Sequence, residues 1–416
     1  MPSGTDYFLG IVLIVMLTGQ LVATRGSLAR AVYPLVAGLR WGWHRCERVL
    51  ERGALSLDTL FEAAYQWCLR ALAAEPVRLG PQQREVQALD TSTIARFRAV
   101  RRLGAAGKGY WGRAGKAVRA NIVAALNSVV LVNGIRLGLV RRTRFGASCE
   151  AATAQLLAAL PTCAGARLIV VDAGIATQEQ FAAATDKDAL LGRLRRNVVL
   201  RGAPTPKQPG QRGRKPKHGP RFHPGAAAPE LRPSAEISVR ACEIVKGQAQ
   251  ERTIRVRRWA ALHFEKHAET GLDVVRVDDP KYEQPLLLGT TARELDTADF
   301  LPGYQCRATI ETNFYVGQDT AAMEMPRAFT ETAAPRRINL ALLSGSLLKA
   351  IAAKCAPLPL GPWDKQPKQT AGRLAQYLRL HLREFMALAL RNTAPRNYRK
   401  KENPLDAKNF PAGAPG

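Results

Sequence analysis

Three acidic residues stand where their carboxylates could bind metal ions. Asp90 ends the apolar run EVQALD, Asp172 ends the apolar run RLIVVD, and Glu311 lies in the stretch GYQCRATIETNFYVGQD. A carboxylate at the end of an apolar run is costly unless it binds something or caps a turn. Cleavage of a phosphodiester uses two divalent ions about 4 Å apart, and Mg²⁺ takes carboxylate oxygens as ligands. The alternative for each Asp is a turn or helix cap.

Polar side chains recur at helical spacing around Glu311. Tyr304, Arg307 and Gln318 stand at positions −7, −4 and +7 relative to it. At about 100° per residue, these positions fall within roughly 60° of one another on one helix face. Such a face would place a carboxylate among donors that bind phosphate, as a DNA-cleaving site requires. The alternative is a surface helix in which Arg307 and Glu311 form an i, i+4 ion pair.

The first half of the chain must supply the elements that position these groups. Helical apolar spacing predicts four helices in residues 1–80, and β-rich runs with an Asn-Gly turn predict three strands after them. The predicted helices are Leu9–Val22, Leu28–Leu39, Trp43–Leu50 and Leu57–Leu72. The predicted strands are Glu85–Asp90, Ile122–Val132 and Ile135–Arg141. A helix at Cys149–Leu160, a buried strand at Arg167–Asp172 and a helix at Gln178–Ala184 follow. This order matches the opening of a ribonuclease H-like fold.

The second half begins with a basic segment. Residues 203–235 contain eight Pro and seven Lys or Arg with one acid, so they read as a linker or loop that suits DNA phosphates. Lys215 and Lys217 lie at its centre. The β-like runs Glu236–Val245, Thr253–Leu262, Val274–Val277 and Leu286–Gly289 indicate a β-rich insertion. Helices are predicted at Ala292–Thr320, Arg336–Ala353 and Gly372–Arg391.

The charge balance points to a polyanionic partner. Sixty-one Lys and Arg against thirty-four Asp and Glu give a net charge of +27, which attracts nucleic acid or an acidic membrane surface. The apolar run Phe8–Leu17 is about half of the roughly twenty residues that a spanning helix needs. We therefore expect a buried helix, with a membrane-surface protein anchored by this run as an alternative. Seven cysteines without a CxxC pair indicate neither a disulfide framework nor structural zinc.

Two further groups could contact DNA. Arg195 lies in the basic stretch RLRRNVVL (193–200). Trp259, in RVRRWAALHF, could stack on an unpaired or flipped base, and the alternative is a core residue of a strand. Arginines along the helices of residues 1–80 could likewise serve duplex DNA or form a solvated basic face.

With these motifs, the sequence resembles the DDE transposases of bacterial insertion sequences, in the subgroup with the pattern Tyr-(2)-Arg-(3)-Glu-(6)-Lys. Tyr304, Arg307 and Glu311 match its spacing, Asp90 and Asp172 resemble its first two acids, and the likeness covers roughly residues 85–350. The basic stretches 193–200 and 213–222 also resemble family segments. The chain departs from the pattern at Gln318, which replaces the Lys.

The resemblance implies a ribonuclease H-like catalytic core with a β-rich insertion, plus an N-terminal helical domain. Asp90, Asp172 and Glu311 would be catalytic and would bind two Mg²⁺ (or Mn²⁺) ions. Tyr304 and Arg307 would contact phosphate near the scissile bond. Water would first attack to free a 3′-hydroxyl, and that hydroxyl would then attack target DNA.

The expected organisation and partners follow from these arguments. The predicted regions are a helical DNA-binding domain (1–80), the first part of the core (81–202), the basic linker and β-rich insertion (203–291), the catalytic helix region (292–355) and a C-terminal helix with a basic tail (356–416). The expected partners are double-stranded DNA, as transposon ends and target, and further copies of the chain in a homodimer or larger synaptic assembly, without a membrane. A cytoplasmic, nucleoid-associated bacterial protein is expected. The alternative function is a catalytically decayed or domesticated DNA-binding protein.

Overall fold

The computed structural model describes residues 4–36, 42–96, 106–163, 165–204, 217–226, 229–245, 248–328 and 330–390. The helices are α1 (Gly4–Leu17), α2 (Gln20–Ala23), α3 (Leu28–Val36), α4 (Gly42–Arg52), α5 (Leu57–Ala71), α6 (Cys149–Ala158), α7 (Gln178–Ala183), α8 (Phe300–Gln305), α9 (Ala308–Asp319), α10 (Ala333–Ala352), α11 (Ala371–Leu380) and α12 (Leu382–Leu390). Within these residues, none of the helices combines the length and apolar composition that crossing a membrane requires.

The strands lie in the middle of the chain, between the N-terminal and C-terminal helices, and confirm the mixed α/β class. They are β1 (Glu75–Pro76), β2 (Arg78–Leu79), β3 (Arg84–Ala95), β4 (Ala106–Trp111), β5 (Lys116–Val132), β6 (Ile135–Gly146), β7 (Arg167–Val171), β8 (Asp188–Arg193), β9 (Leu200–Arg201), β10 (Arg221–Phe222), β11 (Ala235–Val245), β12 (Gln248–Phe264), β13 (His267–Asp278) and β14 (Leu286–Thr290). The chain forms two compact units. Unit 1 comprises Met1–Glu75, Thr91–Pro161 and Thr309–Gly416, and unit 2 comprises Pro76–Asp90 and Thr162–Ala308.

Unit 1 is built around the long strands β5 and β6. They form an antiparallel hairpin whose turn residues Asn133 and Gly134 both have positive φ, 49° and 75°, as the predicted Asn-Gly turn requires. Strand β5 is also hydrogen-bonded to β4 and β3. The helices α5, α6 and α10 pack on the hairpin. Helix α10 is buried along most of its length, so it is the central helix of this unit.

The N-terminal helices belong to unit 1, where α1 and α4 pack against α10. The predicted helix over Leu9–Val22 is divided in the structure, because Gly19 has a φ of 65° between α1 and α2. Ser56 begins α5 by accepting a hydrogen bond from the Thr59 N–H at 3.3 Å, which satisfies one of the first-turn donors.

Unit 2 combines parallel and antiparallel pairing. Strand β7 lies between β3 and β8, and both pairs are parallel. Strand β8 is antiparallel to β14, and the order continues through β13 and β12, with β11 paired to β12. The strands β10–β14 confirm that the chain after residue 203 is rich in β structure, as predicted. Helix α7 connects β7 to β8, as the parallel pairing requires.

The prediction of one continuous helix over Ala292–Thr320 is wrong. Helix α8 ends at Gln305 and α9 begins at Ala308. Between them, the N–H of Cys306 donates to the Gly303 carbonyl at 3.1 Å and the N–H of Arg307 donates to the Tyr304 carbonyl at 3.0 Å. These i to i−3 hydrogen bonds are of the 3₁₀ type, and they interrupt the i to i−4 hydrogen bonding of the α-helix. Tyr304 and Glu311 therefore lie on different helices.

Candidate active site

Asp90 and Asp172 lie opposite each other on neighbouring parallel strands. The register pairs Ala88 of β3 with Val170 of β7 as its last bonded pair, and continuing it by two residues puts Asp90 opposite Asp172. Asp90 is still within β3, and Asp172 directly follows β7. Neighbouring strands are about 4.8 Å apart, and residues in register point to the same face of a sheet. Unit 2 thus brings together two of the three predicted acids.

Arg193 continues the same row on the next strand. The register of β7 and β8 pairs Val171 with Gly192, so that the following residues, Asp172 and Arg193, also stand opposite each other. Arg193 is exposed at the end of β8. Three parallel strands therefore present two carboxylates and a guanidinium at one level of the sheet. The sequence analysis predicted Arg195 instead, because Arg193 is indicated only once the pairing of β7 with β8 is known.

Asp172 also caps a turn. Its Oδ1 accepts hydrogen bonds from the N–H groups of Gly174 and Ile175 at 3.0 and 3.1 Å. This local bonding confirms the turn-cap alternative, and it fixes the carboxylate at the strand end. A capping role and a metal-binding role are compatible, since a carboxylate has about four lone-pair sites.

Arg307 forms an ion pair with Asp90. Its Nη1 lies 3.2 Å from Oδ2 of Asp90, and the two side chains are 20% and 17% exposed. The tight turn between α8 and α9 carries Arg307. The cation thus stabilises one of the two neighbouring carboxylates, which would otherwise repel each other.

Tyr304 stands beside this ion pair. Burial raises the pKa of the Tyr304 hydroxyl, an effect that Arg307 and Arg193 oppose and that Asp172 increases. The phenol consequently stays protonated at neutral pH and remains a hydrogen-bond donor. Tyr304 and Arg307 therefore lie close to the two aspartates, and their contact with phosphate stays a prediction.

The remaining helix residues belong to unit 1. Glu311 is exposed on the first turn of α9. Gln318 is half-buried on the last turn, with Nε2 3.4 Å from Oγ of Ser92. Lys349 of α10 holds the start of α9 by donating to the Thr309 carbonyl and to Oδ1 of Asn313 at 3.3 and 2.9 Å.

The other predicted DNA contacts have different outcomes. Arg195 and Lys217 are exposed, and Lys215 lies outside the described residues. Trp259 is 3% exposed. Its indole N–H donates to the Leu231 carbonyl at 2.9 Å, and its ring packs on Phe222. The structure favours the core interpretation of Trp259, because neither face of a buried ring is open to a base.

The aspartate pair fits a hard divalent ion, since both carboxylates offer oxygen ligands from neighbouring strand positions. Within the described part of the chain, no group of three or more His, Cys, Asp and Glu side chains is placed to hold a metal ion. No family model matches the chain, and no curated protein is significantly similar to it. The residues themselves therefore carry the functional argument.

Proposed function

We propose that the chain is a DDE-type transposase, which cleaves DNA at transposon ends and joins the freed 3′-hydroxyl to target DNA. The observation that carries the proposal is the row of Asp90, Asp172 and Arg193 on three adjacent parallel strands, with Arg307 bound to Asp90. Acids beside arginines suit an enzyme that holds cations and phosphate together.

The fold around this row supports a ribonuclease H-like core. The antiparallel hairpin β5–β6, helix α6, the buried strand β7, helix α7 and the parallel strand β8 follow one another in the order expected from the sequence. The β-rich segment β9–β14 stands where the resemblance implies an insertion. The N-terminal helices would serve as the DNA-binding part, and a homodimer or larger assembly would bring two DNA ends together.

Each residue of the proposed site would have its own role. Asp90 and Asp172 would hold Mg²⁺ or Mn²⁺, which when bound supplies an activated nucleophile and stabilises the leaving oxygen. Arg307 and Arg193 would bind non-bridging phosphate oxygens, because guanidinium groups match phosphate geometry. Tyr304, protonated at neutral pH, would donate a further hydrogen bond. Glu311 as the third ligand stays a prediction of the resemblance.

One observation favours the second candidate, a catalytically decayed DNA-binding protein. The position at which the family pattern has Lys holds Gln318, whose amide hydrogen-bonds Ser92. An amide lacks the charge that would grip a DNA phosphate. The two candidates differ in metal binding and in strand cleavage, and they agree in DNA binding.

The test measures cleavage and metal binding separately. Full-length protein is incubated with supercoiled plasmid and Mn²⁺ or Mg²⁺, with EDTA as the blank, and Mn²⁺ binding is followed by electron paramagnetic resonance. We expect nicking by the wild type, and its loss together with weaker Mn²⁺ binding in Asp172→Asn. Glu311→Ala should lose nicking while keeping DNA binding.

Asp279→Asn is the matched control for Asp172→Asn. Asp279 also caps a turn, with Oδ1 accepting the Lys281 N–H at 2.9 Å, and it pairs with Arg252 at 2.8 Å, so Asp279→Asn removes a turn-capping carboxylate and an ion pair away from the proposed site. Nicking by Asp172→Asn at the wild-type rate would refute the proposed catalytic role. Wild-type protein that binds DNA yet neither binds Mn²⁺ nor nicks would establish the decayed form.

A further inference from the structure

A two-stranded ribbon in unit 1 presents cationic and phenolic groups to solvent. It consists of β4 and residues 116–121 of β5, which pair Lys108 with Arg119 and Tyr110 with Ala117. Paired residues of an antiparallel ribbon point to the same face, and alternate residues along a strand share that face. Lys108, Tyr110 and Arg119 therefore form one outward face. All three are exposed, and Tyr110 is 67% exposed.

The opposite face of the ribbon packs against other residues of unit 1. A Cβ at Gly107 would lie 1.8 Å from the Ala147 carbonyl oxygen, and one at Gly109 would lie 2.6 Å from Cγ2 of Thr93. Val118 is buried on this inner face. Because the inner face has room only for glycine at two positions, the ribbon cannot turn over. The outward direction of Lys108, Tyr110 and Arg119 is therefore fixed by packing.

The ribbon carries its positive charges at one level. Lys108 and Arg119 stand directly across from each other. The stretch of sequence around them is strongly basic, since residues 91–149 contain twelve Lys and Arg and no Asp or Glu. A basic exposed face of this kind is complementary in charge to a polyanion.

We propose that this ribbon binds the phosphate backbone of duplex DNA. Lys108 and Arg119 each contact a phosphate, and the Tyr110 hydroxyl donates a hydrogen bond to a third phosphate or to the same strand. A two-stranded ribbon also fits the width of the major groove. DNA as the partner rests on the proposed function, while the ribbon's contribution is a separate claim about where the duplex lies.

The experiment measures the salt dependence of binding. Full-length protein is titrated onto a fluorescent duplex of about 30 base pairs in EDTA at 50–200 mM salt, so that no cleavage can occur. Each lost phosphate contact lowers the slope of log K against log salt by about 0.9. We therefore expect the double variant Lys108→Gln/Arg119→Gln to lower the slope by about 1.8 and to weaken binding by at least tenfold.

Two further variants separate charge from hydrogen bonding. Lys365→Gln/Lys368→Gln removes the same charge from an exposed loop, and it should leave the slope within experimental error of the wild type. Tyr110→Phe removes only the hydroxyl, so it should weaken binding a few-fold with an unchanged slope. Circular dichroism confirms that each variant is folded, as exposed substitutions should be.

Each outcome supports or contradicts the proposal that the ribbon binds DNA. Equal slopes for the ribbon variant and the loop variant would overturn the proposal. The proposal would also be overturned if the substitutions at Lys108 and Arg119 weakened binding to phosphatidylserine vesicles but left binding to duplex DNA unchanged. If the wild type fails to nick DNA but the ribbon variants show the expected slopes, the proposed catalysis fails and the ribbon interface stands.

Discussion

Lys349 should give unit 1 a stability that rises with pH. Burial lowers the pKa of its ammonium group from 10.5 to about 7. Its Nζ donates to the Thr309 carbonyl, to Oγ1 of Thr312 and to Oδ1 of Asn313 at 3.3, 2.5 and 2.9 Å. These acceptors surround Glu311 on the first turns of α9. The lysine thus supports the helix that carries the proposed third acid, and Lys349→Met is the informative change.

The sign and the size follow from proton linkage. Between pH 7 and 10.5 the unfolded chain holds a proton on Lys349 that the folded chain has released, so the free energy of unfolding increases with pH in this window. The slope is at most about 1.4 kcal/mol per pH unit. From pH 7.5 to 9 this amounts to about 2 kcal/mol. The neutral amine has two N–H donors for three acceptors, and a lost hydrogen bond of about 1 kcal/mol reduces the gain.

The assay is urea unfolding at pH 6, 7.5 and 9, compared between wild type and variant. We expect the wild type to gain about 1–2 kcal/mol relative to Lys349→Met between pH 7.5 and 9. Lys354→Met is the control, because this lysine is exposed and donates a hydrogen bond to Oδ1 of the surface residue Asn133 at 2.8 Å. Identical pH dependence for wild type and Lys349→Met would refute the argument from burial.

Three further changes test other parts of the fold. Trp259→Ala should lower the free energy of unfolding by about 3–5 kcal/mol in urea titrations, whereas Trp259→Phe, which keeps one aromatic ring, should lose less; equal losses would contradict the core assignment. Gly107→Ala should cost about 1–3 kcal/mol from overpacking, measured as a lower thermal midpoint. Burial raises the pKa of the Cys46 and Cys68 thiols to about 12, so the free energy of unfolding should fall as pH rises above about 9. Iodoacetamide at pH 8, followed by peptide mass spectrometry, should show labelling of the exposed Cys242 and of neither buried thiol.

Much of the secondary structure could be predicted because its signals are local. The apolar run ending at Asp172 forms a buried strand that stops at Val171, and the Asn133-Gly134 pair supplies the two positive φ angles of its hairpin turn. Both features depend on a few consecutive residues. Sequence spacing therefore carries enough information to locate them.

The partners of each strand could not be predicted, because pairing depends on residues distant in sequence. Arg193 stands opposite Asp172 only because β8 is parallel to β7, and no local pattern distinguishes it from Arg195. The tight turn at Arg307 was also missed. The helical spacing of its neighbours is continuous, whereas the close packing of Gly303 on Leu79 and Leu191 is a tertiary feature.

The arginines explain how two aspartates can stand side by side on adjacent strands. Two carboxylates at one level of the sheet repel each other, and nearby cations offset this repulsion. Arg307 on Asp90 and Arg193 beside Asp172 supply these charges from unit 2 itself. If Mg²⁺ or Mn²⁺ takes over that neutralisation, Arg307 becomes available to a phosphate oxygen. The same residue would then stabilise the aspartates before DNA binds and the phosphate afterwards, which links DNA binding to metal binding at this edge of the sheet.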